Sequence, residues 1–212
     1  MLQWLNKLSL GRGQEDWFVD ALNKDFRQLE FLALDLELTS LDPQQGDILS
    51  IGYVPIIEGF ICPGEGRHCL ISEHSGVGDS AIIHGIRDCD TDGGHTMEDA
   101  LAQLDQARQG KVLLLHHAGL DLAFLAKHQS EYGKLLAADT MQIEFQRRTR
   151  QGQPVANSLR LNQCRDRYNL PAYKAHNALT DALATAELFL AQMSYMSGQD
   201  EINLAEILRL SR

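Results

Sequence analysis

Two carboxylates interrupt an apolar run near the start of the chain. In FLALDLEL, residues 31–38, every second residue is leucine, and Asp35 and Glu37 occupy alternate positions. Strand side chains alternate between two faces, so both carboxylates project from the same face as Phe31 and Ala33. Adjacent buried anions are costly unless a cation or hydrogen-bond donors neutralise them. The stretch therefore predicts either a cation site or a strand that ends in solvent with both acids exposed.

A third carboxylate follows a second apolar run. The residues KVLLLH, 111–116, predict a strand buried on both faces, and the HHAGLD turn after it ends at Asp121, where a helical pattern begins. Ligands of open α/β sheets gather at the carboxyl ends of strands and at the helix starts beside them. We therefore expect Asp121 near Asp35 and Glu37, although a helix cap is a common role for an aspartate.

The fourth carboxylate and a histidine lie near the start of the longest helical pattern. Apolar residues recur at helical spacing over 178–193, and Asn177 is placed to cap this helix. His176 then lies in the loop before the helix. Asp181 lies within about the first turn, where the helix dipole favours an anion. This arrangement predicts that His176 is a base on a loop and that Asp181, on the helix beside it, is a ligand.

The four acids and the histidine can share one chemical role. Carboxylate oxygens are hard ligands that suit Mg²⁺ or Mn²⁺, whereas zinc would call for more histidine or cysteine. Two such ions, about 3.5–4 Å apart, can activate water on one side of a phosphodiester and stabilise the leaving oxyanion on the other. The unperturbed pKa of histidine, about 6.5, suits His176 to take the proton of the water. The residues therefore predict metal-dependent hydrolysis.

The remaining sequence supplies elements that position these groups. An Ile- and Val-rich strand is predicted over 47–59, and a third strand, broken near PGEG, over 60–71. Their short connections favour antiparallel pairing. Thr96 is placed to cap an amphipathic helix, and Asp139 to cap another. His84, within IHGI, is either a substrate contact or a buried, hydrogen-bonded histidine.

Composition limits the class of protein. The chain has 212 residues, with 19 basic and 29 acidic side chains and a net charge of −10, which argues against nonspecific coating of nucleic acid. The four cysteines have no zinc-like spacing, and free thiols in a reducing compartment are expected. No apolar run approaches the length of a membrane span, and the N-terminus lacks the pattern of a signal peptide. We therefore expect a soluble, cytoplasmic protein with no membrane partner.

Three motifs, LDLELTSLDP, HHAGLDLAFL and HNALTDA, occur in that order. They resemble the three exonuclease motifs of the DnaQ-like, DEDDh superfamily of 3′-to-5′ exonucleases, which includes the proofreading epsilon subunit of bacterial DNA polymerase III. The resemblance covers roughly residues 31–193 and implies an RNase H-like α/β fold, a mixed five-stranded sheet flanked by helices. It also implies that His176 is the general base and that the ligands of two divalent ions, Mg²⁺ or Mn²⁺, are Asp35, Glu37, Asp121 and Asp181.

The chain departs from the superfamily pattern at three positions. Leu38 stands where the family usually has Thr, Ser40 where it has Gly, and His117 where it has Asn. None of these changes removes a metal ligand. Leu38 and His117 flank the predicted site and bear on how the terminal nucleotide is held, although a supporting structural role is an alternative for His117. The candidate substrate contacts are therefore Leu38, Thr39, His117 and Phe124. Of these, Leu38 and Phe124 are expected to stack on or wedge the terminal base.

These expectations define a function and its alternatives. We expect removal of nucleoside 5′-monophosphates from a 3′ end, with single-stranded DNA as the leading substrate and RNA as the alternative. A catalytically weak module that binds nucleic acid or a polymerase is the alternative from another class. We assign residues 30–196 to the exonuclease domain, 1–29 to a helical extension and 197–212 to a helical tail. The tail either docks a polymerase or a second copy of the chain, or covers its own core.

Overall fold

The computed structural model describes residues 15–155, 159–197 and 200–212. Within these ranges, six strands form one mixed sheet: β1 Phe31–Leu38, β2 Ile48–Ile57, β3 Phe60–Ile61, β4 Arg67–Leu70, β5 Val112–Leu115 and β6 Ala137–Asp139. The spatial order is β3-β2-β1-β5-β6, and β4 also pairs with β2. β1 is antiparallel to β2 and parallel to β5. The predicted mixed sheet is confirmed.

The edge of the sheet beside β2 consists of two short strands. β3 pairs with residues 56–57 of β2, and β4 pairs with residues 50–53. A 3₁₀ turn, Pro63–Glu65, separates them at the position where the sequence predicted a break. β3 and β4 therefore form one interrupted edge, which leaves the sheet five strands wide, as expected.

Nine α-helices occur in the described ranges: α1 Glu15–Ala21, α2 Ala81–His84, α3 Asp88–Thr91, α4 Met97–Ala107, α5 Ala118–His128, α6 Thr140–Arg150, α7 Leu161–Asp166, α8 Ala178–Ser197 and α9 Leu204–Leu210. Thr96 caps α4 by accepting the Asp99 N–H at 3.1 Å, as predicted. The first 14 residues of the predicted helical extension lie outside the described residues.

The sheet separates two hydrophobic cores. Phe31 and Ala33 of β1 face a core that contains Phe189 of α8. Leu32 and Leu34 face the opposite core, which contains side chains of α4 and α5. This alternation is the one predicted for β1, and it directs the next odd-numbered residues of the strand toward α8.

Both ends of the described chain join the core on the α8 face. The Asp25 carboxylate accepts a 2.9 Å hydrogen bond from the Ile202 N–H, which ties the segment after α1 to the segment before α9. Leu204 and Ile207 of α9 are fully buried in the same core as Phe18. The apolar face of the tail therefore covers the chain's own core.

The four cysteines are free thiols, as expected. In the part of the chain that the structure describes, no helix is both long and apolar enough to cross a membrane.

Candidate active site

The two carboxylates of β1 lie beneath the start of α8. Asp35 is paired with Gly52 across the β1–β2 ladder, and Glu37 with Ser50. A Cβ added at Gly52 would lie 2.1 Å from the carbonyl carbon of Ala178, the first residue of α8. Only a glycine permits this approach of helix and strand. The close approach places the first turn of α8 directly over the strand pair that carries both acids.

The start of α8 holds the predicted histidine and the fourth acid. Asn177 caps the helix, since its Oδ1 accepts the Thr180 N–H at 3.1 Å, as predicted. The His176 N–H donates to Oδ2 of Asp181 at 2.7 Å. The His176 backbone has a φ of +68°, in the left-handed region, and its side chain is exposed. Asp181 is buried in the first turn.

Asp121 is held by a helix that begins earlier than the sequence indicated. α5 starts at Ala118, so Asp121 lies in its first turn rather than in the preceding loop. The helix-cap alternative for Asp121 is wrong, because the N–H groups of His117 and Ala118 donate to the Asp139 carboxylate at 3.1 and 2.9 Å. Asp139 also caps α6, as predicted, by accepting the Met141 N–H at 2.9 Å. One carboxylate thus fixes the start of two helices.

The acids and the histidine converge in space. Ligand atoms of Glu37, His176 and Asp181 all lie within 4.8 Å of one another. Burial raises the pKa of Asp35 well above its usual range, and the negative charges of Asp121, Asp181 and Glu37 raise it further. The structure therefore brings the other three acids within electrostatic range of Asp35, at the edge of the sheet where the sequence predicted a cation site.

The same repulsion acts on the other acids. Burial and the charge of Asp181 raise the pKa of Glu37 to about 8. Burial, followed by the charges of Asp139 and Glu37, raises the pKa of Asp121 well above its usual range. Burial also raises the pKa of Asp181, although the His176 N–H opposes this shift. Burial raises all four pKa values, and the negative charge of neighbouring acids adds to the shift for Asp35, Glu37 and Asp121. Such a group fits a site for hard divalent cations, which would neutralise that charge.

A cleft of about 330 Å³ opens beside the histidine. His84, Lys174, His176 and Thr180 contribute to its lining. Both ring nitrogens of His84 are occupied: Nε2 lies 2.9 Å from Ser80 Oγ, and Nδ1 accepts the Ile86 N–H. His84 is therefore hydrogen-bonded, as one of the two predictions held, but it is only partly buried and it lines the cleft.

A larger cleft of about 510 Å³ lies between α6, α8 and α9. Arg147, Tyr195 and Glu206 are among its lining residues, and none of the predicted site residues contributes to it. Of the predicted catalytic residues, His176 lines the smaller cleft, and its ring lies within 4.8 Å of carboxylate oxygens of Glu37 and Asp181.

The predicted substrate contacts fall into two groups. Leu38 and Thr39 are partly exposed at the end of β1, and His117 is exposed at the start of α5. Thr39 closes the following loop, because its hydroxyl accepts the Asp47 N–H at 2.8 Å. Phe124 is 0% exposed and belongs to the core on the α5 face, so the structure does not bring it to the site. The prediction that its ring stacks on a base is wrong.

His116 has a supporting role that the sequence analysis did not assign. Its Nδ1 lies 2.8 Å from Thr140 Oγ1, and its Nε2 lies 2.8 Å from the Leu159 carbonyl oxygen. The side chain thus joins the end of β5, the start of α6 and the segment before α7. The sequence does show a histidine directly after a buried strand, which could have indicated such a role. Its partner Leu159 is distant in sequence, so the contact itself had no local signal.

Comparison with known proteins decides the family. The sequence matches the exonuclease family RNase_T over residues 32–189, a range that contains all four acids and His176. The chain belongs to this exonuclease family. The match begins in β1 and ends in α8, so it covers every strand of the sheet.

Curated relatives of this exonuclease include bacterial DNA polymerase proteins. This chain is 27% identical over 192 residues to a DNA polymerase III PolC-type protein of Thermotoga petrophila. The alignment covers 87% of this chain and 13% of the relative. The chain is 28% identical over 183 residues to a DNA polymerase III subunit epsilon-like protein of Rhodobacter capsulatus, with 85% and 26% covered. The exonuclease therefore spans about an eighth to a quarter of the length of these relatives.

Solved structures show the same RNase H-like fold. The nuclease domain of 3′hExo, a DEDDh family member bound to rAMP, aligns with a TM-score of 0.67 at 12% identity, covering 85% of this chain and 98% of that one. E. coli Exonuclease I in complex with a dA16 oligonucleotide aligns with a TM-score of 0.63 at 13% identity, covering 86% and 42%. The fold predicted from the sequence is confirmed.

Proposed function

We propose that this protein is a divalent-metal-dependent 3′-to-5′ exonuclease that releases nucleoside 5′-monophosphates from DNA. The observation that carries the proposal is the convergence of ligand atoms of Glu37, His176 and Asp181 within 4.8 Å, close to the buried Asp121 and the partly buried Asp35. Carboxylates that only supported the fold would be costly to bury together without a paired cation. Membership of the exonuclease family supports the same reading.

The four acids provide the ligands for two divalent ions, for which we propose Mg²⁺ or Mn²⁺. Asp35 and Glu37 are fixed by the β1–β2 ladder, Asp121 by the first turn of α5, and Asp181 by the first turn of α8. All four offer carboxylate oxygens, the donor type that these hard ions prefer. Bound ions of this kind lower the pKa of a water nucleophile and stabilise the oxyanion that leaves the phosphorus.

His176 is the proposed general base. Its imidazole is exposed and lies within 4.8 Å of acid oxygens, so it can reach a water held at their outer side. Its position on a loop leaves it apart from the strand and helices that fix the acids. The hydrogen bond from its own N–H to Asp181 nevertheless fixes the loop relative to one of those acids. In its neutral form the imidazole can accept the proton of the attacking water.

The substrate contacts proposed at this site are Leu38, Thr39 and His117, which lie at the ends of the elements that carry Asp35, Glu37 and Asp121. Lys174 adds a cation to the cleft beside His176. A polynucleotide passing over these residues would place its 3′-terminal phosphodiester above the acids, with its remaining phosphates near Lys174. Leu38→Thr, which restores the usual family residue, should alter affinity or sugar preference.

DNA is the proposed substrate because the relatives point toward it. The curated relatives are DNA polymerase III proteins, and E. coli Exonuclease I was solved with dA16 and dT13 oligonucleotides. RNA is the second candidate, since the 3′hExo nuclease domain was solved with rAMP and a related structure concerns histone mRNA. The polymerase relatives also support a DNA polymerase as a possible binding partner of this chain.

Competition between matched DNA and RNA oligonucleotides tests this proposal. With Mg²⁺ and equal concentrations of both, chromatography of the products should show deoxynucleoside 5′-monophosphates accumulating first. Release of ribonucleotides alone would move the assignment to RNA trimming. Failure to cleave either polymer, by folded protein that binds divalent metal, would favour the nucleic-acid or polymerase-binding module.

A further inference from the structure

The loop that carries His176 is connected to a buried arginine. Arg165 lies in α7 and is 2% exposed. Its Nη1 donates to the Ala184 carbonyl oxygen of α8 at 2.6 Å, and its Nη2 donates to the Pro171 carbonyl oxygen at 2.8 Å. Pro171 stands at the beginning of the loop that leads to His176. A single guanidinium therefore joins α7, α8 and the root of the histidine loop.

Glu187 and Tyr173 complete this arrangement. Nη2 of Arg165 also donates to Oε2 of Glu187 at 2.7 Å, and the Tyr173 hydroxyl donates to Oε1 of the same carboxylate at 2.7 Å. The guanidinium carbon lies 4.7 Å from the centroid of the Tyr173 ring. Glu187 is on α8, whereas Tyr173 is in the loop, three residues before His176. The loop is thus fastened to the same helix that carries Asp181.

The anchors of the loop lie at both of its ends. Arg165 and Glu187 hold Pro171 and Tyr173, and Asp181 accepts the His176 N–H. The backbone of His176 has a φ of +68°, in the left-handed region that few non-glycine residues occupy. Charge-assisted hydrogen bonds of this kind are stronger than neutral ones and define an orientation.

We propose that Arg165, Glu187 and Tyr173 are positioning residues that hold His176 over the carboxylates. This inference rests on the proposed function, because it takes His176 as the base. None of the hydrogen bonds described above for these three side chains goes to the imidazole or to the four acids. The three side chains act by restricting the loop, so that the imidazole remains aligned when the substrate arrives.

The chain contains a matched control for this network. Glu144 accepts two hydrogen bonds from Arg147, at 2.7 and 3.0 Å, and one from the Tyr168 hydroxyl at 2.9 Å. This is also a partly buried tyrosine–glutamate–arginine arrangement, but it joins α6 to the end of α7, and none of these hydrogen bonds reaches the loop over 171–177. Tyr168→Phe therefore removes the same chemical group as Tyr173→Phe at a place unconnected to His176.

The first test measures the loop directly and does not depend on activity. Amide hydrogen exchange of the full chain carrying Tyr173→Phe should be about tenfold faster than wild type at His176, whose N–H is hydrogen-bonded to Asp181, since exchange reports local opening. Tyr168→Phe should leave exchange over this loop unchanged. Unchanged exchange in Tyr173→Phe, or an equal increase in both variants, would overturn the proposal.

The second test asks whether holding the loop in place affects catalysis through His176. In an active wild-type enzyme, Tyr173→Phe should lower kcat by about tenfold with KM changed less than about twofold, because it misaligns the base without removing substrate contacts. In a protein that already carries His176→Ala, Tyr173→Phe should change kcat by less than about twofold. The imidazole that Tyr173 is proposed to position is then missing, so its misalignment has no further effect. A full tenfold loss in that background would refute a role through His176.

The two tests also separate this inference from the proposed function. A wild-type protein that cleaves nothing refutes the exonuclease assignment, and the exchange measurement still decides whether Tyr173 restrains the loop. An active wild type with a kinetically silent Tyr173→Phe variant refutes the positioning role alone.

Discussion

The backbone N–H of His176 donates a 2.7 Å hydrogen bond to Oδ2 of Asp181. The residue proposed as base and a residue proposed as metal ligand are thereby held in one local unit at the start of α8. The bond uses the main chain of His176, so the imidazole stays free for chemistry. It also orients one oxygen of Asp181 before any ligand binds.

Removal of the imidazole should separate catalysis from metal binding. His176→Ala retains the N–H that binds Asp181, so we expect metal affinity to change less than about threefold while kcat falls about 10²- to 10⁴-fold. Calorimetry with Mn²⁺ and single-turnover kinetics measure the two quantities. Asp181→Asn is the control, because it keeps an acceptor for the N–H but removes a ligand charge. Loss of metal binding in His176→Ala would contradict its role as base.

The contact between β2 and α8 should be intolerant of a single methyl group. In Gly52→Ala the new Cβ would lie 2.1 Å from the Ala178 carbonyl carbon, and backbone atoms cannot move aside as a flexible side chain can. Overpacking costs about 1–3 kcal/mol, and we expect at least the upper part of this range. Gly64→Ala is the matched control, since a Cβ there meets nothing within 4 Å. Chemical denaturation that gives equal stability for both variants would rule out the close approach.

The acids should make the metal-free protein less stable as the pH rises. Burial and Asp181 raise the pKa of Glu37 from 4.5 to about 8, so the folded state holds a proton that the unfolded state has lost. The free energy of unfolding therefore decreases as pH rises through this interval, by about 1 kcal/mol between pH 7 and 8 for this one group. Thermal unfolding in EDTA measures the change.

Glu37→Gln is the control for that measurement. The amide cannot ionise, so the variant should be more stable than wild type at pH 8 in EDTA and should gain less from added Mg²⁺. Burial lowers the pKa of His116, so this histidine does not take up a proton in the folded protein above pH 7. A wild-type protein that becomes more stable in EDTA from pH 7 to 8 would argue against a repulsive acid cluster.

Lys174 should contribute to binding of the polynucleotide rather than to the chemical step. Its ammonium lines the cleft with His176, in a protein whose net charge is −10. In Ca²⁺, used to suppress cleavage, Lys174→Ala should reduce the slope of log affinity against log salt by about 0.7, the value for one contact with a single strand. Arg209→Ala, an exposed arginine of α9 paired with Glu206, is the control. An unchanged slope for Lys174→Ala would exclude the contact.

Local patterns predicted the parts of the site that depend on local geometry. A strand has a side-chain period of two, so the alternation of β1 determined the common face of Asp35 and Glu37. Asn177 and Asp139 were identifiable as caps because a cap binds N–H groups two or three residues ahead. The ordered motifs predicted the fold because they mark the ends of elements that meet at one sheet edge.

Features that depend on distant partners were not predictable in this way. The start of α5 depends on hydrogen bonds to Asp139, which is 21 residues beyond Ala118, so HHAGLD resembled a turn. Phe124 is close to Asp121 in sequence, yet its ring is enclosed by the core and by Gly46, whose added Cβ would lie 2.9 Å from it. The Arg165–Glu187 pair spans 22 residues and carries no local signature.

Digestion of matched 3′-labelled and 5′-labelled oligonucleotides, followed over time, tests the central claim most directly. With Mg²⁺ we expect immediate release of labelled mononucleotide from the 3′-labelled strand and a ladder of shortening products from the 5′-labelled strand. EDTA and Asp35→Asn should abolish both, since each removes the metal from the carboxylates. Internal cuts, release from the 5′ end, or full activity of Asp35→Asn would contradict a 3′-to-5′ exonuclease built on these four acids.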